Sequence, residues 1–177
     1  MKHVKTIKTT LMASVAAFGL TMGSAMADDA KVGIILGFTG PIESLTPDMA
    51  ASAELALKEA SDSGILLGGT TLTPVRGDST CIDSAAATSA AERLITSDGV
   101  VAIMGADCSG VTTAIANNTA VPNGVVMVSP SATSPALTTI EDNGYFFRTA
   151  PSDARQGEVL ADVLTDRGIM EIAITYT

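Results

Sequence analysis

Nineteen Asp and Glu against ten Lys and Arg give this chain of 177 residues a formal charge of −9, and so acidic a chain, with no basic cluster, is a poor partner for DNA, RNA or an anionic membrane surface. Apolar residues make up 46%, mainly Ala, Val, Ile and Leu with Trp absent, which favours a layered α/β domain over an aromatic-rich β-sandwich. One His, His3, and two Cys leave few groups for nucleophilic or metal chemistry.

The first predicted element stands outside the fold. Lys2, Lys5 and Lys8 form a cationic head, an apolar run covers residues 11–22, and Ser24-Ala25-Met26-Ala27 supplies an A-x-A site. This is the grammar of a secretory signal peptide, and the run is shorter than the roughly 20 residues of a membrane span. Cleavage is expected after Ala27, leaving a soluble mature chain, most simply in a periplasm; an N-terminal membrane anchor is the alternative. Cleavage removes His3 and three of the ten basic residues, so seven face nineteen acids and the net charge becomes −12. In an oxidising compartment an even pair, Cys81 and Cys108, favours a disulfide. Two unpaired buried thiols are the competing reading, and zinc is disfavoured because neither His nor close Cys spacing accompanies them.

Residues 31–36, KVGIIL, read as a first buried strand stopped by Gly37-Phe38-Thr39-Gly40-Pro41. Thr46 as N-cap and Pro47 at the first helical position start a helix to about Ser61, with Met49, Ala53, Ala56, Leu57 and Ala60 on its buried stripe. Residues 70–76 form a strand that Pro74 places at or near a sheet edge. Asp83 or Ser84 caps a helix to about Thr96, with Ala87, Ala90, Ala91, Leu94 and Ile95 inward. A strand over residues 100–104, a helix over 109–121 and a strand over 125–128 follow, the helix closed by Pro122 and Gly124. Residues 137–140 make a short helical turn and 145–148 a brief strand. Ser152 or Asp153 caps a last helix to Arg167 that turns Val159, Leu160, Val163 and Leu164 inward, and residues 171–176 alternate as a final strand. This β/α alternation predicts a doubly wound parallel sheet with helices on both faces, Rossmann-like or flavodoxin-like.

In such a sheet ligands sit outside the carboxyl ends of the strands, which directs attention to residues 105–110 and 129–135. Ser109 follows a strand and opens a helix, so its hydroxyl and the N–H groups of Gly110 and Val111 suit a carboxylate or other small anion, and Gly110 leaves room for close approach. A plain N-cap role for Ser109 is equally open. The turn Ser129-Pro130-Ser131-Ala132-Thr133-Ser134-Pro135 can present carbonyls and the Thr133 hydroxyl to an ammonium or hydroxyl group; an ordinary solvated loop is the alternative. With no His in the mature chain, and with G-x-S-x-G, the phosphate-binding loop and GxGxxG all absent, no catalytic residue, metal or cofactor is assigned.

The ordered motifs GIILGFTGP (33–41), DSTC (78–81), GADCSG (105–110), VSPSATSP (128–135) and YFFRTAPSDARQG (145–157) resemble the type I periplasmic binding proteins of the branched-chain amino acid (leucine/isoleucine/valine-binding) family. These are solute receptors of ATP-binding-cassette importers. The resemblance implies that Ser109 grips a ligand α-carboxylate, that Ser131 offers a backbone carbonyl to the ligand ammonium, and that Thr133 contacts the ligand through hydroxyl and amide. It implies a Cys81–Cys108 disulfide and places Leu45 where an aromatic residue is common, which points to a different or larger ligand. It also implies that residues 28–177 are the N-terminal ligand-binding lobe, with the second lobe and the acid facing the ligand ammonium absent from this sequence. The function so implied is a non-enzymatic substrate-binding protein that delivers an amino acid or related small carboxylate to a membrane permease. A sensor domain of the same fold, signalling to a receptor, is the alternative.

Overall fold

The computed structural model describes residues 29–174, and the expected signal peptide with its cleavage site lies outside them. The strands are β1 (Ala30–Leu36), β2 (Leu72–Asp78), β3 (Val100–Gly105), β4 (Val126–Ser129) and β5 (Phe146–Arg148); the helices are α1 (Thr46–Asp62), α2 (Ser84–Thr96), α3 (Ser109–Ile115) and α4 (Asp153–Asp166). All strand pairs are parallel and the order is β2-β1-β3-β4-β5. That order reverses direction beside β1, so β1 and β3 flank the point where an open sheet leaves a crevice. Pro74 sits in β2 at the sheet edge, as its missing N–H requires.

Side chains alternate across β1. Ile35 joins Ala87, Ala91 and Leu94 of α2 and Val111 and Ile115 of α3 in the larger core, whereas Ile34 and Leu36 pack with Ala50 of α1. Successive strand residues point to opposite faces, so helices cover both faces as expected. In α1 the predicted Met49, Ala53 and Leu57 pack on the core and Ala60 is half-buried, while Ala56 is exposed and Ala50, not predicted, is buried. Thr46 does not cap α1: it is its first residue, and its hydroxyl donates to the carbonyls of Gly37 and Glu43 at 3.2 and 3.3 Å. Asp83 caps α2 by accepting from the N–H groups of Ala85 and Ala86, and Ser152 caps α4 through Ala154. The predicted helix over 109–121 is α3 continued by a π-helical turn, Ala116–Ala120, and the helical turn near 137–140 is the 3-10 segment Pro135–Thr138.

Two expectations fail near the C-terminus. No residue of α4 is buried; Val159, Leu160 and Val163 are exposed and Leu164 is only half-buried. The amphipathic pattern is present, but no described element packs over it. Residues 171–174 belong to no strand, and residues 175 and 176 lie outside the described part. β5 forms the sheet edge and pairs only with β4; residues 171–174 do not add to its open side, and a strand without a partner is not stable.

Candidate functional site

A parallel sheet brings the carboxyl ends of its strands to one side, and here a buried carboxylate ties three of them together. Asp107, 4% exposed, follows β3. Its Oδ2 accepts from Gly37 N–H at 2.7 Å after β1, and its Oδ1 accepts from the Ser79 hydroxyl at 3.2 Å after β2 and from Cys108 N–H at 3.0 Å. A buried charge needs such partners to offset its lost hydration. The Cys81–Cys108 disulfide, with Cα atoms 5.2 Å apart, links the same two turns, so the even pair is joined and the unpaired reading is excluded. Gly105 is required on steric grounds, since with φ of +131° a Cβ there would lie 2.1 Å from Ile35 O.

Asp78, at the end of β2, holds the first turn. It accepts from the Thr39 hydroxyl at 2.6 Å and from the N–H groups of Thr39 and Thr80 at 3.3 and 2.9 Å. Burial pushes its carboxyl up, but these donors, with Phe38 N–H, more than offset that and hold it below the usual aspartate range.

Ser109 and Thr133, 24 positions apart, meet directly. Ser109 is the first residue of α3, whose N-cap is Cys108, and its hydroxyl caps nothing in that helix. Ser109 Oγ accepts instead from Thr133 N–H and Ser134 N–H, each at 3.1 Å, which joins the turn after β3 to the turn after β4. The second turn is no loose loop. Ser129 Oγ accepts from Ala132 N–H, Ser131 Oγ donates to Asp107 O at 2.9 Å, and the Arg148 guanidinium donates to the carbonyls of Ala132 and Ser134. Thr133 Oγ1 donates to Asp153 Oδ2 at 3.0 Å while Asp153 N–H donates to Thr133 O at 2.9 Å. Gly110 is exposed and faces open space, with no atom within 4 Å of where a Cβ would stand.

The structure therefore brings Ser109, Ser131 and Thr133 into one network with Gly110 beside it. Leu45, the N-cap residue of α1 and 62% exposed, shares none of those hydrogen bonds. Asp107, Asp153 and Arg148 escaped the sequence reading as members of this constellation. The only signals were an acid between a buried strand and the second Cys, and an acid just inside a capped helix. An apolar cavity of about 430 Å³, lined by Met49, Ser52, Ala53, Met104, Val128, Pro130 and Thr149, borders the turn after β4 through Pro130 and Thr149, on the face that α1 covers. Among the described residues no cluster of three His, Cys, Asp or Glu side chains could hold a metal ion, and no helix is long and apolar enough to cross a membrane.

Residues 29–177 match a family model described as "Periplasmic binding protein". The leucine-specific-binding protein of Salmonella typhimurium is 32% identical over 157 residues, covering 89% of this chain and 41% of that protein. The leucine-, isoleucine-, valine-, threonine-, and alanine-binding protein of Pseudomonas aeruginosa is 31% identical over 159 residues, with the same 89% and 41%. Among solved structures, the branched-chain amino acid transporter substrate binding protein of Streptococcus pneumoniae in complex with isoleucine superimposes with a TM-score of 0.69 at 28% identity, over 77% of this chain and 38% of that one. An ABC transporter substrate-binding protein of Desulfitobacterium hafniense in complex with Leu gives 0.68 at 28%, over 79% and 39%. The chain thus spans about two fifths of the length of these curated relatives.

Proposed function

The chain belongs to the periplasmic binding protein family, and from that premise we propose that it acts as the N-terminal lobe of a periplasmic substrate-binding protein of an ABC importer. It binds an amino acid or related small carboxylate against a second lobe and delivers it to a membrane permease. The observation that carries this reading is the Ser109 hydroxyl, which holds together the turns after β3 and β4 with its two acceptor positions while, among the described residues, its own proton has no acceptor. A free hydroxyl at the ends of parallel strands suits a carboxylate oxygen. The relatives named for amino-acid binding, and the two solved proteins with isoleucine and Leu, support an amino acid as the ligand class. They also support a carrier over a sensor.

In this reading Ser109 anchors the carboxylate, Gly110 lets it approach, the Ser131 carbonyl and Thr133 hold the ammonium end, and Leu45 borders the side chain. Residues 1–27 serve as the cleaved signal peptide that brings the protein to the periplasm. Closure of two lobes by a hinge then encloses the ligand. Isothermal calorimetry of the full-length protein with branched-chain amino acids tests it. Each charge-assisted hydrogen bond contributes roughly 1.5–3 kcal/mol, so Ser109→Ala and Thr133→Val should each weaken binding by about tenfold or more. Unchanged affinity in both variants overturns the site assignment.

A further inference from the structure

We propose that Asp107 is a positioning residue for the Ser109 hydroxyl: it fixes the peptide unit between Asp107 and Cys108, and through that unit the residue that follows. This rests on the reading of Ser109 as ligand-binding. The Asp107–Cys108 peptide is held at both ends. Its carbonyl accepts from Ser131 Oγ at 2.9 Å, and its N–H donates to Asp107 Oδ1 at 3.0 Å. The carboxylate is in turn anchored elsewhere, since Oδ1 also accepts from the Ser79 hydroxyl at 3.2 Å and Oδ2 accepts from Gly37 N–H at 2.7 Å. One residue thereby joins the turns after β1, β2, β3 and β4. Because a peptide unit is planar, fixing its C=O and its N–H fixes the whole plane. The direction in which Ser109 leaves that plane sets where its Oγ meets Thr133 N–H and Ser134 N–H, each at 3.1 Å.

The setting of this carboxylate points to position rather than to stability. Asp107 is 4% exposed, and among the described residues no Lys or Arg forms an ion pair with it. A buried charge costs hydration that an apolar side chain of the same volume does not, so its gain lies in the groups it fixes. The first turn is shaped to receive it. A Cβ on Gly37 would stand 3.3 Å from Asp107 Oδ2 and 3.2 Å from Cys81 Cβ, so the glycine gives the carboxylate its close approach. Asp78 supplies the contrast. It too joins the turns after β1 and β2, but its donors belong to Thr39 and Thr80 and its hold stops there.

The test is a double-mutant cycle by calorimetry in the full-length protein, with leucine, isoleucine and phenylalanine as probes. Asn has one acceptor oxygen where Asp uses two, so Asp107→Asn cannot serve Gly37 N–H and Cys108 N–H together. It should weaken binding by about tenfold at a temperature where the variant is folded. In a Ser109→Ala background the same substitution should cost less than about twofold, because the group it positions is gone. Asp78→Asn should lower Tm and leave affinity within about twofold. If Asp107→Asn does not fold, Asp107→Ser and Ser131→Ala go through the same cycle; the second loosens the same peptide unit and keeps the Ser131 carbonyl. Unchanged affinity in the folded variant, an equal loss in both backgrounds, or an equal loss in Asp78→Asn overturns the inference and leaves the reading of Ser109 standing. Unchanged affinity in Ser109→Ala alone, or a wild-type protein that binds none of these probes, overturns the inference together with the reading beneath it.

Discussion

Asp78 carries its charge where burial works against it, and its donors, Thr39 N–H and O–H and Thr80 N–H, come from the turns after β1 and β2. Its carboxyl is held below the usual range in the folded chain, whereas the unfolded value is about 3.9. A depressed folded pKa gives stability that is complete above the unfolded value and is lost as pH falls through the folded one. Asp78→Asn should therefore flatten the acid limb of the stability curve below about pH 4. Thermal unfolding followed from pH 7 downwards checks this, and an acid limb identical to wild type would refute it. Ser109 and Thr133 could be picked from sequence because each sits where a strand predictably ends. Asp107 could not, because its partner Gly37 lies 70 positions away and an acid in a turn looks solvated until three strand ends converge on it.

Among the elements, the turns after β2 and β3 are joined by the Cys81–Cys108 bridge, which closes a separation of 27 residues. On the chain-entropy account a loop of that size contributes about 3.5 kcal/mol, equivalent to a fall in Tm of about 10 °C on reduction for a domain of this size. Scanning calorimetry with and without a reductant measures it, and an unchanged Tm in demonstrably reduced protein would exclude the role. Because the bridge sits one residue before Ser109, reduction should also weaken ligand binding in the full-length protein. Helix positions were legible wherever an apolar stripe met a cap, as for Ala87, Ala91 and Leu94 behind Asp83. In α1 Met49, Ala53 and Leu57 were legible in the same way, but in so Ala-rich a helix periodicity did not separate the exposed Ala56 from Ala50, which contact with Ile34 and Leu36 buries.

For the whole molecule, the contrast lies between a sheet with helices on both faces and the outward stripe of α4. Leu160 is 55% exposed, and Val163, Ile172 and Ile174 are exposed with it. Contiguous exposed apolar surface drives association. Residues 28–177 produced alone should therefore self-associate in light scattering, and Leu160→Glu with Val163→Lys should reduce the effect. A monodisperse monomer at high concentration would show that this stripe is harmless.

What the sequence determined by itself was local and periodic: the strand and helix order, the edge place of β2 through Pro74, the even Cys pair, and the two polar turns that follow β3 and β4. Those features follow from spacing of 2 or 3.6 residues and from the backbone limits of Pro and Gly, which act within a few residues. Tertiary structure alone decided that Ser109 spends its lone pairs on Thr133 and Ser134 rather than on its own helix, that Asp107 is buried at the meeting of three strand ends, and that Asp153 stands behind Thr133. It also decided that the last alternating segment finds no strand to pair with. Each of these depends on which distant group supplies a partner, and periodicity carries no information about partners far along the chain.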